Sequence, residues 1–220
     1  MNLTKLFETQ AALDEHIMQE HPELRGQNNL DWKLLALQVE LGECANEWRG
    51  FKKWSKNQKP RTWDRIHCPS CAKKGYYRGN SPVDEVKGRH GLGNHWYYCD
   101  DCAGYLVVDK NPMLEEYVDC LHFILSVGID LQVQHDYTVH FIKDDEESII
   151  DLFAECYAFA GDLYWNNKNG GTIKESQNDY KVLLIHFNQL GRKLGFTWDE
   201  VEEAYYAKNK VNHARQENGY

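Results

Sequence analysis

The sequence predicts an all-α fold, a helical bundle interrupted by one small β-rich insertion. Apolar residues recur every three or four positions over most of the chain, which is the pattern of amphipathic helices. This period is absent from residues 60–112, where Gly and Tyr are frequent and Pro marks both ends. At 220 residues the chain has room for one sizeable domain and an insertion. We therefore expect a discontinuous helical domain, residues 1–59 and 113–220, around an insertion at 60–112.

Composition and charge exclude several classes of protein. Hydrophobic residues make up 42% of the chain, enough to bury a core, and no apolar run is long enough to span a membrane. The N-terminal segment is amphipathic and lacks the apolar centre of a signal peptide, so we expect a cytoplasmic location. The net charge is -9, yet Lys52–Arg89 holds 11 Lys/Arg against 3 Asp/Glu. This excludes a uniformly nucleic-acid-binding protein but allows one basic patch.

The first two helices carry polar residues beside their apolar stripes. Residues 3–20 are predicted to be helical, with Gln10 and Asp14 four positions apart on a polar flank. Asp31 is the predicted N-cap of the next helix, which ends near Gly50.

An acidic face runs along the helix predicted over Leu34–Trp48. Glu40, Glu43 and Glu47 recur at spacings of three and four, which places their carboxylates on one side of a helix. The leucines of the same segment fall on another side and form a stripe that faces the core.

The helix predicted over residues 113–129 carries a second acidic pair, Glu116 and Asp119, beside a thick apolar surface. Facing carboxylate pairs repel one another unless a hard cation lies between them. Mg²⁺ takes oxygen ligands and keeps coordination positions for phosphate groups. The two helices therefore predict a Mg²⁺ site for a phosphate ester or anhydride. The alternative is that these are the solvated faces of ordinary helices.

Two C-x-x-C pairs indicate a second metal site, inside the insertion. Each pair can hold one side of a tetrahedral ion, and thiolates at about 2.3 Å suit Zn²⁺ in a structural zinc ribbon. The four predicted ligands are Cys68, Cys71, Cys99 and Cys102. Short strands are expected at Trp96–Tyr98 and Tyr105–Val108. His67, His90 and His95 could replace one ligand, whereas a redox pair or two disulfides suit a cytosolic chain less well.

The other three cysteines, Cys44, Cys120 and Cys156, occur singly in apolar helical patterns. We expect them to be small core residues in a reducing compartment. The odd total of seven also argues against a fully paired disulfide framework.

The second half of the chain is predicted to return to helices. Residues 149–163 and 180–194 have helical periods, and Gly195 is placed to end the second of these helices. The last helix begins at Thr197, where Glu200 three positions later completes a capping box.

Two basic segments could bind a nucleotide. Lys208, Asn212 and Arg215 share one face of the last helix and would suit an oligophosphate, although a basic C-terminal turn also matches the helix dipole. Residues 50–60 combine lysines with Trp54, which would suit phosphate and base. For each segment taken alone, an ordinary solvated surface is the better explanation.

Taken together, these segments resemble the all-α dimeric dUTPases, relatives of the MazG-type nucleotide pyrophosphatases. The resemblance covers residues 3–56 and 113–220. It rests on LFETQAALDEHI, LLALQVELGECANEWRGFKKWS, LEEYVDCLHFILSVGIDL and YYAKNKVNHARQENGY. It implies a helical bundle of the all-α NTP pyrophosphatase type and a homodimer. The zinc ribbon lies outside the resemblance.

The family implies a role for each matching residue. Four carboxylates would hold Mg²⁺: Glu40, Glu43, Glu116 and Asp119. One of the first two, Glu43 or Glu40, would position or deprotonate the water that attacks the α-phosphorus. The β and γ phosphates would be held by Lys208, Asn212, Arg215 and Tyr220. Gln10 would bind the uracil edge and Trp54 would close over the base, while His122 and Phe123 would lie near the deoxyribose and base.

Asp14 departs from the family, because many relatives have Asn at this position. A carboxylate accepts hydrogen bonds but cannot donate them, so this residue bears on which pyrimidine is bound. The leading hypothesis is Mg²⁺-dependent hydrolysis of dUTP, and of dUDP, to dUMP. One alternative is a MazG-like pyrophosphatase for another nucleotide, such as dCTP or a modified pyrimidine. A third hypothesis, from a different class, is a nucleic-acid- or protein-binding module that acts through the basic zinc ribbon.

Overall fold

The computed structural model describes residues 3–73, 90–92, 95–97, 101–102, 105, 107–133 and 146–219. The chain divides into two compact units, one made of Met1–Pro60 with Met113–Tyr220 and the other of Arg61–Pro112. The first unit is helical and the second contains the strands, so the predicted fold class, an all-α bundle with a small β insertion, is confirmed. None of the helices described is long and apolar enough to cross a membrane.

The elements follow one another along the chain as follows. The helices are α1 (Leu3–Glu20), α2 (Leu30–Trp48), α3 (Pro69–Lys73), α4 (Pro112–Asp130), α5 (Ile149–Lys168), α6 (Ile173–Leu194) and α7 (Trp198–Glu217). The strands are β1 (Asp64–His67), β2 (His90–Leu92), β3 (His95–Tyr97) and β4 (Val107–Lys110). A short 3₁₀ turn, Pro22–Leu24, joins α1 to α2.

The six long helices share one hydrophobic core. Each contributes at least one side chain that is completely inaccessible to solvent: Leu6, Leu37, Ile124, Cys156, Leu183 and Tyr205. Burying a large apolar side chain stabilises a fold by about 1.5–3 kcal/mol, so this shared core is what holds the helices in place. Helix α5 packs on α6 and on α2, and α1 packs on α7.

Two glycines allow α4 to approach α6 closely. The Tyr117 ring stacks on Phe187 with centroids 4.3 Å apart, and its hydroxyl donates to the Phe187 carbonyl. A Cβ on Gly191 would lie 2.4 Å from the Tyr117 hydroxyl, and one on Gly128 would lie 2.4 Å from that of Tyr180. Only glycine fits at either contact without displacing a ring. These contacts hold α4 against α6.

The structure corrects two of the predicted helix starts. Helix α2 begins after Asn29, so Asp31 lies in its first turn, where it accepts a hydrogen bond from the Trp32 amide. Helix α6 begins at Ile173, seven residues before the predicted start, because Thr172 and Glu175 form a capping box.

Other predicted boundaries are confirmed. Thr197 and Glu200 form the expected capping box of α7. Gly195 ends α6 with φ of 95°, a left-handed conformation that glycine adopts without strain.

The second unit contains two antiparallel strand pairs. Strand β1 pairs with β4, from Asp64 opposite Lys110 to His67 opposite Val107, and β2 pairs with β3. Both strands predicted here exist, each shifted by one or two residues. The short helix α3 was not expected from the sequence.

Candidate active site

Three carboxylates from two helices converge at one point. Glu40 and Glu43 lie one turn apart on α2, and Glu116 reaches them from α4, so that one oxygen of each lies within 4.8 Å of the others. Burial, followed by repulsion from neighbouring carboxylates, raises the pKa of Glu40 and of Glu116 to about 7. Such mutual repulsion is what a hard divalent cation relieves, so this set of oxygen donors fits Mg²⁺.

Asp119, the fourth predicted ligand, is occupied by a lysine instead. Its carboxylate accepts a hydrogen bond of 2.5 Å from Lys208 Nζ, which lies 3.3 Å from Glu115 as well. Burial opposes the charge of Lys208, but the two carboxylates still raise its pKa above the ordinary value. The structure thus brings together three of the four predicted ligands and pairs the fourth with a predicted phosphate ligand.

A cavity of about 510 Å³ begins beside these carboxylates, within the size range of small-ligand sites. It lies among helices α1, α2, α4 and α7. The predicted residues that line it are Gln10, Asp14, Glu40, Asp119, His122, Phe123, Asn212 and Arg215. Lining residues that the sequence did not indicate include Leu13, Ile17, Leu24, Trp32, Ser126 and Gln216. Acidic, cationic and apolar groups therefore share one nucleotide-sized space.

Gln10 is the centre of a buried hydrogen-bond cluster. Its Nε2 donates to Asp14 Oδ1 over 2.7 Å. Its Oε1 accepts from the Tyr205 hydroxyl over 2.9 Å and lies 2.8 Å from His122 Nδ1. The other oxygen of Asp14 accepts from the Ser126 hydroxyl over 2.7 Å. Three helices, α1, α4 and α7, are tied together by these bonds at the wall of the cavity.

Lys33 is a buried cation behind this cluster. Its Nζ lies 2.7 Å from Asp130 and 3.8 Å from Asp14, and its side chain is only 3% exposed. Burial raises the pKa of Asp14, and Lys33 is the strongest of the groups that oppose this rise. In the sequence, Lys33 lies on the apolar stripe of α2, between Leu30 and Leu37, and a charged residue at such a position indicates a buried ion pair.

His122 is neutral in this environment. Burial lowers its pKa to about 3, and its ring stacks on Tyr205 with centroids 4.3 Å apart. Among the residues that the structure describes, none forms a hydrogen bond with the buried Nε2 atom of this ring.

Two other predicted substrate residues are not among the described residues that line the cavity. Trp54 is 78% exposed, and its ring lies against the edge of Phe51; within the described structure it does not line the cavity. The tryptophan that lines it is Trp32, in the first turn of α2. Tyr220 lies outside the described residues.

The second unit contains a cluster of buried thiols. Cys68, Cys71 and Cys102 place their sulfurs within 4.8 Å of one another, and the sulfurs of Cys71 and Cys102 are 3.6 Å apart. A disulfide requires about 2.05 Å, whereas tetrahedral bonds of about 2.3 Å place two ligand sulfurs roughly 3.8 Å apart. The cluster could therefore hold a metal ion. Cys99 lies outside the described residues.

Comparison with known proteins identifies the family. A family model described as dUTPase matches residues 2–67 and 106–220, which is most of the chain. The chain belongs to the all-α dUTPase family. This dUTPase is a nucleoside triphosphate pyrophosphohydrolase, a dUTP diphosphatase. No curated protein and no solved structure matches the chain. The match omits residues 68–105, most of the second unit of this dUTPase.

Proposed function

We propose that this dUTPase hydrolyses dUTP, and also dUDP, to dUMP by Mg²⁺-dependent attack of water at the α-phosphate. The observation that carries the proposal is the convergence of Glu40, Glu43 and Glu116 beside a cavity of nucleotide size. The cavity would place a substrate's phosphates near these oxygens while its base lies among apolar side chains.

Glu40, Glu43 and Glu116 would hold Mg²⁺, with Asp119 as a fourth ligand. Bound there, the ion would neutralise charge on the phosphates and make water a better nucleophile at neutral pH. Glu43 or Glu40 would orient that water and accept its proton. The proton acceptor and the metal ligands would then come from the same two helix turns.

The last helix would bind the leaving pyrophosphate. Asn212 and Arg215 line the cavity, and Lys208 lies at its acidic end, so all three predicted residues are available to the β and γ phosphates. Tyr220 would extend this set. Cationic donors aimed at the leaving group stabilise the charge that develops there.

The base and sugar would lie at the end of the cavity away from the carboxylates. Gln10 and Asp14 supply polar groups, and Phe123 supplies an aromatic ring beside His122. Trp54 would close over the base, because its exposed ring is accessible to a ligand.

A second candidate substrate is dCTP or a modified pyrimidine nucleotide, which a direct contact between the base and Asp14 would favour. Its carboxylate can accept a hydrogen bond from the 4-amino group of cytosine, whereas uracil has a carbonyl there. Pyrophosphate release from dUTP, dUDP, dCTP, dTTP and UTP, each with Mg²⁺, tests both candidates. Preference for dUTP supports the first candidate substrate. Preference for dCTP supports the second, with the same mechanism of hydrolysis. Turnover without any divalent ion would contradict the proposed metal dependence.

We propose that the insertion, residues 60–112, is a zinc ribbon with Cys68, Cys71, Cys99 and Cys102 as structural ligands. The three thiols that are described support it. The buried free thiols Cys44, Cys120 and Cys156 suit a reducing compartment, which agrees with a cytoplasmic location. Deleting residues 61–111 would spare turnover if the ribbon is only a structural staple or a surface for nucleic acid or a partner protein, and in the second case it would also abolish that binding. Loss of turnover with the helical content retained would instead place the ribbon in the active site or the dimer.

We also propose a homodimer. Helix α2 exposes Leu35 at 61% and Val39 at 51%, one turn apart, and Trp32 extends the same strip. A second copy would remove this apolar strip from water. Sedimentation of a single species with the mass of one chain would contradict this assignment.

A further inference from the structure

We infer that Asp14 is a positioning residue: through Gln10 it selects the ring tautomer of His122, which leaves the buried Nε2 atom as a hydrogen-bond acceptor for a donor group of a nucleotide bound in the cavity. This inference rests on the proposed function only in its last step, where the cavity is taken to bind a nucleotide. Its first two steps concern the protein alone.

The first step is the orientation of the Gln10 amide. Asp14 Oδ1 lies 2.7 Å from one end of this amide, and a carboxylate oxygen can only accept a hydrogen bond. The amide must therefore present its NH₂ group to Asp14. The reverse orientation would place two oxygens in contact and leave a buried acceptor without a donor, which is costly.

The second step is the tautomer of His122. Once the amide NH₂ faces Asp14, the Gln10 oxygen faces Tyr205 and His122 Nδ1, at 2.9 and 2.8 Å. An amide oxygen only accepts, so His122 Nδ1 must carry the proton. In a neutral ring the other nitrogen is then a bare acceptor. Through Gln10, the carboxylate of Asp14 thus determines which nitrogen of the His122 ring carries the proton.

The third step is the Nε2 atom itself. His122 is 5% exposed, it lines the cavity, and no described residue forms a hydrogen bond with Nε2. A buried acceptor without a donor is unfavourable, and a ligand donor in the cavity would remove that cost. Burial also lowers the pKa of the ring, which keeps Nε2 unprotonated at neutral pH.

A deoxyuridine nucleotide offers two donors of the required kind, the imino N3–H of the base and the 3′-hydroxyl of the sugar. The N3 atom of cytosine is an acceptor. If N3–H is the partner, this contact therefore rejects cytosine. An Asn at position 14 would remove the constraint, because an amide can face Gln10 with either its donor or its acceptor.

The tautomer can be measured in the ligand-free protein. Long-range ¹H–¹⁵N spectra of ¹⁵N-labelled protein distinguish protonated from bare ring nitrogens, and His122→Gln assigns the signals. We expect Nδ1–H with bare Nε2 in the native protein, and a shift toward the other tautomer in Asp14→Asn. Ser126→Ala is the matched control, because it removes the other hydrogen bond of Asp14 and leaves Gln10 in place. A native ring protonated at Nε2, or an unchanged ring in Asp14→Asn, would overturn the inference.

Binding of substrate analogues tests the last step. Titration calorimetry with Mg²⁺ would compare α,β-imido-dUTP with its N3-methyl and its 3′-deoxy forms. The analogue that lacks the donor should bind roughly ten- to hundredfold more weakly, and this penalty should shrink in Asp14→Asn. If both analogues bind like the parent, Nε2 meets no substrate donor and the last step is wrong. If α,β-imido-dUTP itself fails to bind, the proposed function fails, while the tautomer result is unaffected.

Discussion

The two candidate metal sites of this dUTPase have the same number of described side chains but opposite chemistry. Each brings three side chains within 4.8 Å of one another. The carboxylates of the first are partly exposed and repel one another, with the pKa of Glu40 and of Glu116 raised to about 7. The thiols of the second are buried, and Val108 of β4 packs against them. The first arrangement suits a cation that works on a substrate, and the second suits one that holds a fold.

The largest expected effect is a loss of activity, without a loss of structure, when a carboxylate of the first cluster is replaced. Changing Glu43→Gln removes a charged ligand and a candidate proton acceptor, so kcat for dUTP should fall by on the order of a thousandfold. Glu203→Gln, on an exposed position of α7, is the matched control and should keep native activity. Native helical content in both variants, measured by circular dichroism, is required. Retained turnover in Glu43→Gln would remove this residue from the site.

Replacing a thiol of the second cluster should instead reduce the amount of bound metal. Cys71→Ser should lower bound Zn²⁺ from about one ion per chain to none, because a three-ligand remnant binds the ion weakly. Cys156→Ser, at a buried cysteine of the helical unit, should keep its zinc. Metal content by mass spectrometry provides the measurement. Full zinc occupancy in Cys71→Ser would mean that this thiol is not a ligand.

A substitution of Lys208 tests whether this lysine and a metal ion compete for the carboxylate of Asp119. Its 2.5 Å contact with Asp119 competes with any cation at that carboxylate. Lys208→Met should therefore tighten Mn²⁺ binding several-fold, measured by electron paramagnetic resonance, and should still lower kcat because a phosphate ligand is lost. Lys210→Met, two residues away and exposed, should change neither quantity. Weaker Mn²⁺ binding in Lys208→Met would contradict the competition.

The smallest expected effect is a pH-dependent difference in thermal stability. The folded pKa of about 7 for Glu40 and Glu116 lies above the ordinary 4.5, so the folded state binds more protons than the unfolded state between these values. Without Mg²⁺, the contribution of these groups to stability is present below pH about 4.5 and is lost as pH rises through 7. Added Mg²⁺ should reverse this loss, so the Mg²⁺-induced rise in Tm should grow from pH 5 to 8 by a few degrees. In Glu116→Gln the rise should be smaller and flatter with pH.

The fold was predictable because its signals are local. Periodicity identified the helices, and Thr197 with Glu200 gave the start of α7 from a four-residue pattern. The start of α6 was missed although Thr172 and Glu175 carry the same pattern, because the apolar period becomes clear only near Tyr180. At the start of α6, the capping box is therefore a better guide than periodicity.

The site was only half predictable, because its decisive contacts join distant parts of the chain. Gln10 and His122 were expected from the family resemblance, but their mutual contact spans 112 residues. Tyr205, 195 residues from Gln10, has the pattern of an ordinary core tyrosine, and Ser126 resembles any small helical residue. Sequence patterns indicate which residues carry chemistry, whereas their orientation depends on packing between helices.

The pairing of β1 with β4 has an evolutionary consequence. Asp64 lies opposite Lys110, so the chain leaves for the cysteine-bearing segment and returns from it at points about 5 Å apart. An ancestor could have joined these two points with a turn of a few residues, and the insertion could have been acquired or exchanged in a single genetic event. In the same way, a protein engineer could replace residues 68–105, the part that the family match omits, with another small module whose ends lie side by side.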